Sequence, residues 1–356
     1  MREDAAASRR EDGAVLISPP PRAAAGRPGL RLPGLPGLPS LGSRLMPVPM
    51  TGLLPMPMQD RSPEPGLFGP RSVTWRVVRE PVLVAGGGRA LLLQAAHPLV
   101  AQGAIDHSAY RTDPYGRLYR TLEWVTLCSF GTEAEARSAC RGVNRLHGRV
   151  RGRLPGHHAT TVHPPGRAYS AHDPELLAWV HATLVDTMLV AHDALIGGLE
   201  ERDADRFVRE WNAVASLMGV PEDRRFETRA ELAGYVAAEI RAGRVSPGRG
   251  SREVAATVLA PPLPSRMAEP VWRMVAFTTV GLLPAELRRG YGFAWGPLHD
   301  ATHRALCAGT RAALPVLPRR LRVSPAHEWA IRRVRAARRP GPEDRHPVGG
   351  AGWGRP

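Results

Sequence analysis

Between Thr132 and Arg241 the chain carries three helix-opening signatures in succession, and they leave little room for a sheet. Thr132-x-x-Glu135 and Thr228-x-x-Glu231 are capping boxes, in which a hydroxyl and a glutamate three residues later satisfy the first free N–H groups of a helix. Asp173-Pro174-Glu175 joins a capping acid, a proline at the first helical position and an acid in the first turn. Each opens a run with apolar residues three and four apart: to about Val150, from Leu176 to about Ile196, and to about Arg241. Similar runs span Leu91–Ala104, where Pro98 kinks or breaks the helix, then Arg117–Ser129, Asp203–Met218, Val271–Leu283, Leu298–Leu314 and Ser324–Arg338. Alternating strand patterns are scarce. The spacing predicts an all-α single domain of about eight to ten helices over residues 71–318, followed by a basic C-terminal helix and tail over 319–356.

The first 70 residues break this pattern. They hold 14 of the 36 prolines, including the near-repeat Leu32-Pro33-Gly34-Leu35-Pro36-Gly37-Leu38-Pro39, a density that blocks both helix and central strand. A disordered arm is expected, with order beginning near Val73. Ala14-Val15-Leu16-Ile17 after Arg9-Arg10 is too short for the apolar core of a signal peptide. Val271–Leu283 is too short and too charged for a membrane span. The expected location is therefore cytoplasmic.

Composition removes several chemistries. The sequence contains no lysine, so its 48 basic residues are all arginine and its formal charge is +15. Schiff-base lysines, ordinary pyridoxal enzymes and the phosphate-cradling P-loop lysine are excluded. Residues 319–356 hold ten arginines against three acids. No aromatic interleaving accompanies that charge, so it reads as a solvated basic end and no specific nucleic-acid partner is expected. Cys128, Cys140 and Cys307 are odd in number and lack metal-type spacing; Cys128 reads as a small core residue. Gly86-Gly87-Gly88 lacks the dinucleotide-binding spacing and reads as a joint leading into a helix.

Thirteen histidines leave few that stand out. His157, His158 and His163 fall in a Pro/Gly-rich loop and are expected in solvent. His299 and His303 are four apart but lack the interposed glutamate of a zinc protease. His147 lies on the inward stripe of its helix between Val143 and Val150, where it reads either as a satisfied core histidine or as a ligand. His97, before Pro98 in an apolar helix, carries the same two readings. No Gly-x-Ser-x-Gly elbow or nucleophile–base pair is present.

The runs RALLLQAAHPLVAQGAIDHSAYRTDPYGRLYRT, FGTEAEARSACRGVNRLHGRVRG and YSAHDPELLAWVHATLVDTML resemble the bacterial branch of the MpaB-type/rubber-oxygenase family. The likeness continues more loosely through LMGVPEDRR and GLLPAELRRGYGFAW, covering Val73 to Trp295. It implies a partly globin-like helical core that binds haem b through an axial histidine and uses dioxygen on a small apolar substrate of alkene-bearing or isoprenoid-like type. The matching histidine is His147, and Arg117 and Thr121 match the family's arginine and threonine beside the haem. Latex-clearing members carry a lysine just before that threonine, able to cap the iron's distal side. Arg120 stands there in this chain, and a guanidinium has no lone pair to donate. The distal side is then open, or closed by another group such as His97. No residue matches the family's catalytic acid. A non-catalytic haem- or lipid-binding helical protein is the alternative reading.

Overall fold

The structure, a computed structural model, describes residues 55–261 and 266–336. The Leu32–Pro39 near-repeat, most of the proline-rich arm and the end of the basic tail lie outside them.

The architecture is all-α. Helices α1 (Val73–Val78), α2 (Gly87–Ala96), α3 (Pro98–His107), α4 (Pro114–Phe130) and α5 (Glu133–His147) come first. A small ribbon of β1 (Arg151–Arg153) and β2 (Ala168–Ser170) follows, antiparallel, with Gly152 opposite Tyr169. Helices α6 (Pro174–Leu195), α7 (Glu201–Leu217), α8 (Arg229–Arg241) and α9 (Arg249–Leu259) precede α10 (Glu269–Gly281), α11 (Ala285–Tyr291) and α12 (Pro297–Ala313). The short α13 (Arg319–Arg322) and α14 (Pro325–Ala336) close the described chain.

Helix α6 is the axis of the molecule. It is apolar on nearly every side, which suits only a helix enclosed by others, and α1, α2, α7, α8 and α12 all pack on it. Trp179, Ala182, Val185, Leu189 and Ala191 are fully buried along it. The glycine run before α2 is explained by this packing. A Cβ on Gly86 would stand 2.6 Å from that of Ala191 on α6, and one on Gly88 would stand 2.5 Å from Thr279 Oγ1 on α10. The run lets three helices meet closely.

The predicted boundaries hold at the caps. Thr132 and Glu135 form the full capping box that opens α5, Asp173 caps α6 and Thr228 caps α8. Pro98 breaks its helix outright, leaving α2 and α3 joined at His97. Helix α9, the short helices α1, α11 and α13, and the β1–β2 ribbon were not expected.

Order also begins earlier than Val73. Met58 and Phe68 are buried, and Glu135 reaches beyond its cap to accept hydrogen bonds from the backbone N–H groups of Gln59 (2.7 Å) and Asp60 (2.9 Å). Prolines rule out regular structure in this stretch but not docking of an extended strap on α5.

Candidate haem-binding and oxygenase site

Helices α4 and α5 form an antiparallel hairpin closed by Gly131, and one contact fixes its register. Cys128 Sγ lies 3.8 Å from Cys140 Sγ, both fully buried. Thr121 lies seven residues before Cys128, and His147 lies seven residues after Cys140. Seven residues are nearly two whole turns, about 10 Å of rise with little change of face. Thr121 therefore repeats the face of α4 that carries Cys128, and His147 the face of α5 that carries Cys140.

Beneath α4 lies a cavity of about 140 Å³, walled by α2, α4, α6 and the 3-10 turn Pro81–Gly86. Leu118, Thr121, Leu122 and Val125 supply the α4 wall and Leu184 and Met188 the α6 wall. Thr121 is half-buried, and its hydroxyl donates to Arg117 O at 3.0 Å, so its oxygen offers lone pairs to the cavity. Thr187 accepts from Arg89 Nη1 at 2.8 Å and keeps its own hydroxyl hydrogen free. Glu80 is the single carboxylate on the wall; sequence reasoning missed it because nothing local links it to α4.

Arg117 is half-buried with its Nε on Ser108 Oγ at 2.9 Å. Among the described residues no carboxylate pairs with it, and burial first, then Arg120, lowers its pKa. A guanidinium kept charged without an acid is a vacant anion partner. Arg120 points elsewhere. It is exposed and reaches back to the Asp113 carboxylate at 3.2 Å, at the N-terminus of α4.

His147 is half-buried, with its Nδ1 enclosed and lacking a hydrogen-bond partner. Burial, and then the neighbouring His172, lower its pKa, which keeps the imidazole neutral as a metal ligand must be. Its ring lies 6.0 Å from that of His172. His147, Arg117 and Arg120 are not on the wall of the Thr121 cavity.

His97 is placed differently from the others. Its Nδ1 accepts from Leu99 N–H at 3.3 Å, making it the cap of α3, and its ring lies 4.9 Å from His163. Burial, then His163, pushes its pKa down to about 3. With Nδ1 accepting, the neutral ring carries its hydrogen on Nε2 and has no lone pair left for iron. His97 does not reach the cavity; Gln94, one turn earlier, does.

The other histidines are accounted for by packing. His158 and His163 are buried rather than in solvent, because Gln102 and Arg244 O, distant in sequence, hydrogen-bond them. His299 accepts from Gly296 N–H and His303 sits against Cys307, both beside Trp295.

Residues 75–312 match the family described as "ER-bound oxygenase mpaB/B'/Rubber oxygenase, catalytic domain", and the chain belongs to that family. It is also similar to the uncharacterized proteins Rv2237 of Mycobacterium tuberculosis and Mb2261 of Mycobacterium bovis. Each is 26% identical over 258 residues, covering 70% of this chain and 96% of the relative. No solved structure matches the chain significantly. Among the described residues no helix is long and apolar enough to cross a membrane.

Proposed function

We propose that this oxygenase-family chain binds haem b and uses dioxygen to oxidise a small apolar substrate of alkene or isoprenoid type. The observation that carries the reading is Arg117, a half-buried guanidinium without an acid, on the helix whose Thr121 opens onto an apolar cavity. The residue types suit the group: a neutral, enclosed imidazole for iron, a free cation for a propionate, and apolar side chains around Thr121 for a substrate.

Bound haem would supply activation of dioxygen. The protein's own residues do the rest. His147 would offer a ring nitrogen to the iron, and burial keeps it neutral. Arg117 would hold a propionate through charge-assisted hydrogen bonds. Thr121 keeps its proton on Arg117 O, and rotation about Cβ–Oγ1 turns that proton into the cavity. Leucine, valine and methionine walls exclude water from the reacting carbons. Arg120, held at Asp113, would not reach the iron, unlike a lysine able to cap it. Catalytic roles for Thr121 and Arg117 and cofactor contacts from His147, Arg117 and Thr121 are parts of this proposal; Arg120, paired with Asp113 at the surface, is given none. His97 contributes through the fold, as the cap of α3.

The test is spectroscopic. Protein supplemented with haem should show a Soret band that collapses in His147→Ala, and oxygen uptake with dispersed squalene should fall in Thr121→Ala. Colourless protein after haem supplementation would refute the proposal. A Soret band without uptake on squalene or shorter isoprenoid alkenes would favour the non-catalytic haem- or lipid-binding reading.

A further inference from the structure

A second cleft, of about 450 Å³, lies away from the α4 cavity between α3, the segment after β1 and α9. Its walls are polar, and a chain of hydrogen bonds fixes the protons on one of them. Tyr169 donates to Asp106 Oδ2 at 2.5 Å, and Gln102 Nε2 donates to Asp106 Oδ1 at 2.8 Å. The Gln102 amide is thereby oriented, and its Oε1 must accept from His158 Nδ1, 2.6 Å away. The neutral ring then presents a bare lone pair at Nε2.

That Nε2 is enclosed and has no hydrogen-bond partner among the described residues, on a side chain only 6% exposed. It faces Glu253 Oε1 at 3.6 Å, a second acceptor. Burial, then the neighbouring His157, lowers the His158 pKa, outweighing the pull of Glu253. Two lone pairs confront each other with no hydrogen between them, an arrangement that calls for a donor from outside.

The rim specifies the rest of the ligand. Arg111 binds the other oxygen of Glu253 at 2.6 Å and is 55% exposed. Arg153 donates one Nη1 hydrogen to Gly166 O, and Arg249 stands 3.5 Å from Glu253. Arg111 and Arg153 line the cleft with two carboxylates, Glu253 and Asp106, and Arg249, beside Glu253, brings one positive charge in excess. A cationic donor is disfavoured there, and an anion is welcome.

We propose that this cleft binds a small hydroxylated anion, a polyol phosphate or a hydroxycarboxylate. One hydroxyl donates to His158 Nε2 and a neighbouring hydroxyl or its own water to Glu253 Oε1, and its anionic group lies against Arg111 and Arg153. The site stands independently of the haem reading.

The test is calorimetric titration of the full chain with glycerol 3-phosphate and with glycerate, beside glycerol and sulfate as halves of the ligand. One or both hydroxylated anions should bind saturably, with glycerol and sulfate at least tenfold weaker. His158→Phe and Arg153→Gln should each weaken binding at least tenfold. Binding by glycerol 3-phosphate alone assigns a phosphate ester, and by glycerate alone a carboxylate. No saturable binding of either, or sulfate binding equally well, would overturn the proposal, the latter by reducing it to charge attraction. Because His158→Phe removes a buried contact, ¹⁵N imidazole spectra of the unmodified protein provide a second measurement. The His158 Nε2 resonance should begin as a bare nitrogen and move on addition of the bound anion; an unmoved resonance refutes the contact.

Discussion

Replacing Arg117 with methionine should separate haem affinity from the stability of the haem-free protein. Methionine keeps most of the volume and removes the charge. In the haem-free fold the loss is one hydrogen bond, to Ser108, worth about 0.5–1.5 kcal/mol. Set against it is the relieved desolvation of a half-buried guanidinium that has no carboxylate partner, a cost of the same order or larger. Unfolding free energy should therefore stay within about 1 kcal/mol of the parent or rise. Haem binding, in contrast, loses a charge-assisted bond to a propionate, about 1.5–3 kcal/mol, or roughly 10- to 150-fold in affinity. Haemin titration followed at the Soret band gives the affinity, and urea unfolding without haem gives the stability. Unchanged affinity in a folded variant would refute the propionate assignment. A loss of more than about 2 kcal/mol without haem would instead make Arg117 a structural cation.

The pair Arg89–Asp186, 2.7 Å apart with both side chains nearly enclosed, should respond oppositely. Arg89→Met strands the Asp186 charge and should cost about 3–5 kcal/mol in urea unfolding, most of it regained in Arg89→Met/Asp186→Leu. Glu135→Ala removes half of a capping box and the anchor for Gln59 and Asp60, and should cost about 1–2 kcal/mol. It should also expose the chain before Val73 to limited proteolysis. His97, His181 and His327 have pKa values pushed down to about 3, 4 and 4, mainly by burial. The unfolded chain binds more protons there, so their stabilisation is complete above about pH 6.5 and is lost as pH falls toward 4. Chemical unfolding at pH 7 and pH 5 should show that fall, and His181→Gln should flatten it.

What the sequence made legible was local. Thr132, Asp173 and Thr228 cap helices through groups within three residues, so their effect is readable without a fold. Cys128 could be placed in the core from its helical face alone. Features built from distant partners were hidden. The β1–β2 ribbon has three residues per strand and exists through pairing across the loop between them. The burial of His158 depends on Gln102, 56 residues away, and nothing in the His157–His158 neighbourhood signals it. Arg120 illustrates the same limit: its place beside Thr121 suggested a residue of the pocket that cannot ligate iron, and the carboxylate at Asp113 draws it to the surface. At the site, spacing alone left His147 between core residue and ligand. Family likeness supplied a preference.

That register has a consequence for how the chain can change length. The cysteine contact is an index mark, and Thr121 and His147 are read off from it along two helices of fixed pitch. One residue added or removed between Thr121 and Cys128, or between Cys140 and His147, turns the outer group by about 100° and shifts it by about 1.5 Å. The two groups would then address different sides of the hairpin. The stretches 121–128 and 140–147 should therefore be intolerant of insertion, whereas the exposed turn around Gly166 should accept it, because nothing downstream is measured from there.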